Sequence, residues 1–226
     1  MKNKIVTAEQ AVECIGDGAV IMVGGFASIG TPEELIDALV KKGSKDLTII
    51  SCDAGRAGLG VGKLLRNGQV KKLIASHVGL NSEVAYRTPD QPEIYNVEYV
   101  LVPQGTLAEC IRAAGCGLGG ILTPVGLGTA VAEGKETVMV KGKEYLLEEP
   151  FSADFALIRG SMADQAGNVI YNMTARNFNT VMAMAAEHVI LCAEEIVEIG
   201  AIDPNHVMTP ALFIDSIVGG AKPCRI

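Results

Sequence analysis

The sequence predicts an α/β fold, an open and mostly parallel sheet with helices on both faces. Two observations predict it. Short apolar runs of strand length alternate with helical patterns along the chain, and the segments between successive runs are as long as parallel crossovers require. No Pro/Ser-rich linker interrupts this alternation. Residues 1–226 are therefore expected to form one domain, as α/β chains of this length often do.

The elements are predicted in order along the chain. A short helix over 7–15 precedes a strand over 19–23, whose five residues are all apolar, as in a strand covered on both faces of a sheet. Further apolar runs of the same kind predict strands at 47–51, 72–76, 97–102, 155–158, 168–171 and 189–193.

Helices and a hairpin are expected between these strands. One helix covers 104–114 and ends at Gly115, and another covers 175–187. A hairpin turn is expected at Lys141-Gly142-Lys143, because a glycine there is flanked by two strand-like runs. The two runs are 137–140 and 144–147.

The turn after the first strand is the most strongly specified point in the sequence. Gly24 and Gly25 lack a Cβ, so the backbone can turn sharply and a ligand can approach its amide groups. Thr31 and Glu34 have the spacing of a Thr-x-x-Glu capping box, which predicts a helix start, and Gly43 predicts the end of that helix. The alternative is a tight turn whose glycines serve only packing.

The start of this helix does not favour phosphate. Glu33 and Glu34 occupy its first turn, and no Lys or Arg lies between Lys4 and Lys41. A thioester carbonyl or a small carboxylate is the better expected ligand. The segment Gly115–Gly120 fits the pattern G-x-G-x-x-G, but it follows a helix instead of a strand, so a dinucleotide site is not expected there.

Composition excludes several classes of function. The net charge of −7 gives no electrostatic support for binding nucleic acid or an anionic membrane. No apolar run reaches the ~18 to 20 residues that a membrane span needs, and no signal-type segment follows Met1, so a cytoplasmic protein is expected. The six cysteines form no C-x-x-C pair, which predicts free, buried thiols and no metal centre. The high apolar content, 49%, suggests surface for a protein partner.

Four turns are expected to meet at one edge of the sheet, because loops after parallel strands open into a common crevice. They are the Gly24-Gly25-Phe26 turn and the turns at 51–55, 77–79 and 103–106.

Gln104 is the candidate catalytic residue among these turns. Its amide is a neutral donor that could hold a developing oxyanion, although a glutamine here could also cap the next helix. Cys52 could be a nucleophile, but Asp53 beside it would raise its pKa, which favours a buried thiol. His77 could be a general base or a structural histidine.

Residues 17–32 fit, position for position, the signature of the family I coenzyme A-transferases. That signature is Asp/Asn-Gly, two free residues, three apolar residues, Gly-Gly-Phe, three free residues, Gly, one free residue and Pro. Other segments resemble the family in the same order, namely 102–109, 122–124, 163–164, 167–170 and 175–179. The whole chain resembles the α subunits of acetate- or butyrate-acetoacetate CoA-transferases.

This resemblance implies a division of labour between two chains. In the family, the β subunit carries a Glu-Asn-Gly motif whose glutamate attacks the acyl-CoA thioester and becomes a glutamyl-CoA thioester, and this sequence has no Glu-Asn-Gly. The resemblance implies acyl-CoA and a short-chain carboxylate as substrates, no cofactor beyond CoA itself, and a heterotetramer with β subunits. Gln104 would be the oxyanion donor. The loop near the CoA thioester would be Gly24, Gly25, Phe26, Ala27, Ser28, Ile29 and Gly30.

One departure and two alternatives stay open. Relatives often carry Asn where this chain has Cys52, and a thiol is a weaker donor than an amide, so acyl preference could differ. A dicarboxylate CoA-transferase, for 3-oxoadipate, succinate or glutaconate, would need an extra cation such as Arg56. A non-catalytic acyl-CoA-binding protein would use the same cleft without a β partner. Arg176 and Asn177 are further candidates for orienting the substrate.

Overall fold

The structure is a computed structural model that describes residues 4–222. Its strands, in chain order, are β1 (Val20–Val23), β2 (Leu47–Ser51), β3 (Val70–Ala75), β4 (Glu98–Leu101), β5 (Ile121–Thr123), β6 (Thr137–Val140), β7 (Lys143–Glu148), β8 (Ala153–Asp164), β9 (Val169–Ile170), β10 (Ala186–Val197) and β11 (Ser216–Gly219). Its helices are α1 (Ala8–Val12), α2 (Glu33–Lys42), α3 (Val61–Arg66), α4 (Ser82–Ala85), α5 (Pro92–Tyr95), α6 (Gln104–Gly115) and α7 (Asn179–Met182).

The main sheet is open and mostly parallel, as predicted. Its strand order is β11-β10-β8-β1-β2-β3-β4, and every neighbouring pair along this path is parallel. Strand β9 pairs with β8 in the antiparallel sense. Because β1 lies between β8 and β2 near the middle of the sheet, the turn after it opens at the centre of the carboxyl edge.

Helices cover both faces of the sheet, which confirms the second part of the prediction. Along β1, Ile21 and Val23 belong to one hydrophobic core and Met22 to the other, because successive side chains point to opposite faces. The first core is shared with α1 to α5, and the second with α6 and α7. The glycine turn therefore follows a strand that is anchored on both sides.

A separate three-stranded antiparallel sheet has the order β5-β7-β6. The predicted hairpin is confirmed as its β6–β7 pair, in which Val140 faces Lys143 across the turn. Lys141 and Gly142 both have positive φ, 49° and 77°, the pattern of a type I′ turn. Strand β5 was not predicted, and neither was β11 at the edge of the main sheet.

The helix predicted over 175–187 is wrong. The chain instead makes a short 3-10 turn at Met173–Arg176, then the single turn of α7, and enters strand β10 at Ala186. Strand β10 pairs with β8 from Ala186 to Val197. The helical pattern is interrupted nine residues before this ladder begins, because Asn177 has φ 0° and ψ −116°, outside the helical region. Helix propensity is weak enough for the tertiary structure to override it.

The predicted capping box at the start of α2 is also wrong. Pro32 is the N-cap residue and no side chain caps this end. The carboxylate of Glu34 instead accepts the backbone N–H of Lys222 at 2.9 Å and lies 3.6 Å from the guanidinium of buried Arg159. Glu34 thus ties α2 to the far end of the described chain. A capping box does form on α1, between Thr7 and Gln10.

Two further expectations have clear outcomes. Gly43 ends α2 in the left-handed conformation, at φ 80°, with its N–H on the carbonyl of Leu39, as predicted. The G-x-G-x-x-G segment follows α6 and leads into β5, so it lacks the strand before it that the dinucleotide motif requires.

Within residues 4–222, no helix is both long enough and apolar enough to span a membrane.

Candidate active site

The four predicted turns meet at the carboxyl edge of β1 to β4. Ala27, after β1, donates its N–H to the carboxylate of Asp53, after β2, at 2.7 Å. Asp53 in turn pairs through its backbone with His77, which follows β3. Gln104, after β4, donates its side-chain N–H to the sulfur of Cys52 at 3.3 Å. The turns therefore form one connected site, as the rule for parallel sheets predicted.

The glycine pair is required by packing. A Cβ on Gly24 would lie 1.9 Å from the side-chain oxygen of Asn179. A Cβ on Gly25 would lie 2.2 Å from the hydroxyl of Thr31, and its φ of 117° is open mainly to glycine. The packing alternative from the sequence accounts for both glycines, because side chains of this same chain fill the space beside them.

The glycines lead into a tight turn, Phe26 to Ile29. Phe26 and Ile29 exchange backbone hydrogen bonds of 3.0 and 2.8 Å. Between them, Ala27 and Ser28 both have positive φ, 50° and 75°. At its far end the loop is fastened to the segment before β10, because Asn177 donates to the carbonyl of Ile29 and Asn179 to that of Gly30, each at 3.0 Å.

This turn forms one wall of a cavity of about 560 Å³. The opposite walls come from α6 and from residues 174–181, the segment that the sequence wrongly placed in a long helix. The apolar lining residues are Phe26, Ile29, Ala108, Phe178 and Val181. The polar ones are Gln104, Thr174 and Asn177, so no charged side chain is among the described residues that line the cavity.

Gln104 is the residue best placed for chemistry. It is the first residue of α6, and no side-chain hydrogen bond caps the start of this helix. Its amide nitrogen carries two N–H donors, and the bond to Cys52 uses one of them. Gln104 also lines the cavity, so a donor without formal charge stands in its wall.

Cys52 is a buried thiol, as predicted, with 1% of its surface exposed. Burial raises the pKa of this thiol, the charge of Asp53 raises it further, and the hydrogen bonds with Gln104 and Ser76 act in the opposite direction. Because the thiolate is the reactive form, a raised pKa disfavours a nucleophilic role at neutral pH. Its sulfur instead accepts the bond that orients Gln104.

His77 lies behind the cavity wall and is not among its lining residues. Its ring packs against that of Phe26 with centroids 6.2 Å apart, and its Nδ1 is 3.2 Å from the hydroxyl of Ser76. Ser76 donates to the backbone carbonyl of Cys52 at 2.7 Å. This arrangement favours the structural alternative for His77.

Arg56 and Arg176 are exposed and do not line the cavity, whereas Asn177 does. Asp53 and Asn179 were missed as site residues. A signal for the second was present in the sequence, because Asn177-Phe178-Asn179 puts two asparagines inside a predicted helix, and asparagine is a weak helix former that favours caps and turns.

The remaining cysteines differ in their exposure. Cys110 and Cys192 are buried and free, whereas Cys14 and Cys116 are free but exposed, so the prediction of buried thiols holds for only part of the set. Cys224 lies outside the described residues. Within residues 4–222, no group of three His, Cys, Asp or Glu side chains is placed to hold a metal ion.

Comparisons with known proteins identify the family of this chain. The family model "Coenzyme A transferase" matches residues 5–220. The alpha subunit of the acetate CoA-transferase of Escherichia coli K12 is 47% identical over 218 residues, which cover 96% of this chain and 97% of that protein. The alpha subunit of the acetoacetyl-CoA:acetate/butyrate CoA transferase of Clostridium acetobutylicum is 48% identical over 220 residues, 96% of this chain and 98% of that protein. The corresponding subunit of the 3-oxoadipate CoA-transferase of Pseudomonas putida is 46% identical over 211 residues, 92% of this chain and 89% of that protein.

Solved structures show the same fold. An acyl-CoA transferase of Escherichia coli O157:H7 superposes with a TM-score of 0.82 at 24% identity, over 96% of this chain and 47% of that one, so this chain spans about half of it. The glutaconate coenzyme A-transferase of Acidaminococcus fermentans superposes with a TM-score of 0.82 at 21% identity, over 98% of this chain and 78% of that one. The full-length sequence matches and this shared architecture together show that the chain belongs to the coenzyme A transferase family, as a chain of the α type.

Proposed function

We propose that this chain is the α subunit of a CoA-transferase that moves CoA between a short-chain acyl-CoA and acetoacetate or another short-chain carboxylate. The attacking glutamate comes from a β subunit. Its carboxylate adds to the thioester carbonyl, CoA leaves as a thiolate, and an acyl-glutamyl anhydride forms. The thiolate then attacks the glutamyl carbonyl, which releases the first carboxylate and leaves a glutamyl-CoA thioester. The second carboxylate reverses these steps.

The observation that carries this proposal is the position of Gln104. It places an uncharged amide donor in the wall of an apolar cavity whose described lining residues include no carboxylate. Such a site can stabilise a negative charge that develops on a carbonyl oxygen, and the attacking carboxylate would have to come from outside the described lining residues. Family membership, and two relatives 47% and 48% identical that are named as alpha subunits of CoA-transferases, support a role as one subunit of such an enzyme.

The chemical task of this chain is then to bind and polarise the reacting carbonyl. Each addition to a carbonyl places negative charge on its oxygen, and the free N–H of Gln104 would hold that charge. One such donor is worth about 2.7 to 4 kcal/mol of barrier. Apolar walls such as Phe26 and Phe178 exclude water and strengthen the interaction.

The lining of the cavity favours a monocarboxylate acyl group. The described lining residues offer polar groups on Gln104, Thr174 and Asn177 but no cation, so a second carboxylate buried there would carry a desolvation cost that no ion pair offsets. Arg56 and Arg176, the cations nearest in sequence to the site loops, are exposed outside the lining. This argues against the dicarboxylate alternative, even though a 3-oxoadipate relative is 46% identical.

The remaining parts of the proposal follow the resemblance. They are an α2β2 heterotetramer, a cytoplasmic location, and turnover that needs no metal or redox cofactor beyond CoA as substrate. The alternative of an acyl-CoA-binding protein without activity predicts no partner with a Glu-Asn-Gly motif.

The test begins with the adjacent reading frame: we expect it to encode a protein with a Glu-Asn-Gly motif, and the two chains are then co-expressed. We expect the complex to consume acetoacetyl-CoA with acetate and butyrate, and far more slowly with succinate, while this chain alone shows no transfer. Mass spectrometry of the complex trapped with acyl-CoA should place the glutamyl-CoA adduct on the partner chain. CoA exchange by this chain alone, or an adduct on one of its own glutamates, would refute the proposal.

A further inference from the structure

We infer that Asp53 is a positioning residue, whose buried carboxylate holds the Phe26–Ile29 turn in a strained conformation and so sets the shape of the acyl cavity. This inference rests on the proposed function, because it takes the cavity as the acyl site. Asp53 itself is not among the residues that line the cavity, so it would act through the turn.

The turn is strained by its own sequence. Ala27 and Ser28 are consecutive non-glycine residues at φ 50° and 75°, in the left-handed region where a Cβ crowds the backbone. Two-residue turns of this shape usually contain Asn-Gly or Gly-Gly. The two backbone hydrogen bonds between Phe26 and Ile29 close the turn, but neither Ala nor Ser favours the left-handed region. Contacts from other segments therefore have to help hold the pair in it.

Asp53 supplies a contact to the strained pair itself. One carboxylate oxygen accepts the N–H of Ala27 at 2.7 Å, and the other accepts the N–H of Gly55 at 2.8 Å. The residue is 5% exposed, so water competes little for these bonds. Because the second bond fixes the carboxylate to its own loop, the turn after β1 is held against the turn after β2.

The strained pair lies between two cavity-lining side chains. Phe26 precedes it and Ile29 follows it, and both form the wall that faces α6 and Phe178. The far end of the loop is fixed by Asn177 and Asn179. If the bond from Asp53 is lost, Ala27 and Ser28 can relax, and Phe26 and Ile29 must move with them. The acyl chain then meets a cavity of different width.

The test uses the assembled complex and the variant Asp53→Asn. An asparagine of the same shape has one acceptor oxygen, so it cannot accept both backbone N–H groups. We expect kcat/KM for butyryl-CoA to fall about tenfold, mainly through KM, with a smaller change for acetyl-CoA, because a displaced wall affects the longer chain more. Adding Ala27→Gly to Asp53→Asn should bring kcat/KM for butyryl-CoA back to within about threefold of the value for the unsubstituted complex, since glycine takes positive φ without a steric cost.

Asp164→Asn is the matched control. Asp164 is also buried, at 2% exposure, and its carboxylate accepts backbone N–H groups of its own turn at 2.9 to 3.0 Å, but it does not line the cavity. Its replacement should leave the ratio of butyryl-CoA to acetyl-CoA activity unchanged. An equal shift in this ratio would show that the Asp53 effect is a general consequence of neutralising a buried carboxylate, and would overturn the inference.

Two measurements do not depend on transfer activity. Hydrogen exchange of the peptide that contains Ala27 should accelerate in Asp53→Asn, and unchanged exchange would overturn the inference. Ala27→Gly alone should raise Tm, whereas Ala38→Gly, within α2, should lower it; a fall in Tm for Ala27→Gly would show that the turn is not strained. If the unsubstituted complex transfers no CoA, the proposed function fails by itself, and these two measurements still decide the role of Asp53.

Discussion

Two turns of this molecule have nearly the same backbone φ angles, but different contacts stabilise them. In the β6–β7 hairpin, Lys141 and Gly142 have φ of 49° and 77°; at the cavity, Ala27 and Ser28 have φ of 50° and 75°. The hairpin turn contains a glycine and joins two paired strands, so its own sequence favours it. The cavity turn contains no glycine and is held by side chains from other elements. The cavity turn thus depends on tertiary contacts, whereas the sequence of the hairpin turn already favours its conformation.

The proposed function places the chemistry at the cavity and none at the hairpin, so the largest expected effect lies at the cavity. In the complex, Gln104→Ala should lower kcat about 100- to 1000-fold, or about 2.7 to 4 kcal/mol, because it removes the oxyanion donor. Steady-state kinetics with acetoacetyl-CoA would measure this, together with size-exclusion chromatography to verify assembly. Gln69→Ala is the control: Gln69 is 1% exposed and donates to two backbone carbonyls, so its loss should lower stability while kcat is kept. Near-normal turnover of Gln104→Ala would reject the oxyanion role.

A glycine-to-alanine substitution in each of the two regions should distinguish the stability cost of a steric clash from the cost of a disfavoured φ angle. Gly24→Ala would drive a Cβ to 1.9 Å from Asn179 and should lower the free energy of unfolding by about 3 kcal/mol. Gly142→Ala meets no atom within 4 Å and has only its positive φ to accommodate, so a loss of about 1 kcal/mol is expected, with transfer activity unchanged. Urea denaturation of both variants measures the difference. Equal losses would mean that the glycine loop is less tightly packed than its contacts indicate.

The hydrogen bond from Gln104 to Cys52 is a buried tertiary contact that we expect to orient the Gln104 amide. Cys52→Ala removes the sulfur acceptor at 3.3 Å and should lower kcat about five- to tenfold, or about 1 to 1.4 kcal/mol, because the Gln104 amide loses an orienting partner. Cys110→Ala, at a second buried thiol outside the cavity lining, is the control and should leave kcat unchanged. A kcat for Cys52→Ala equal to that of the unsubstituted complex would remove Cys52 from the site.

The smallest effect is expected in the hairpin. Lys141 has a φ of 49°, and asparagine tolerates positive φ better than lysine does. Lys141→Asn should therefore stabilise the protein by about 0.5 kcal/mol. Thermal unfolding would show a slight rise in Tm with unchanged kinetics. A fall in Tm would mean that the Lys141 side chain, and not the turn preference, stabilises this hairpin.

The sequence predicted much of the fold and part of the site. Strands β1 and β2, the end of α2 at Gly43, the hairpin turn and the meeting of four turns at one sheet edge all depend on local patterns or on a general rule for parallel sheets. The wall at 174–181 was missed, because Asn177 leaves the helical conformation and its side chain bonds to Ile29, 148 positions away. The role of Glu34 was missed for a similar reason, since its partner Lys222 is 188 positions away.

The amino-acid sequence alone determined the class of fold, the central strands β1 and β2 and the position of the glycine loop, because apolar periodicity and turn chemistry act over a few neighbouring residues. Only the tertiary structure decided the shape of the cavity. That shape depends on Asp53, Asn177 and Asn179 reaching a turn 26 to 149 positions away, and a backbone conformation that its own residues disfavour exists only where such distant contacts outweigh the local cost.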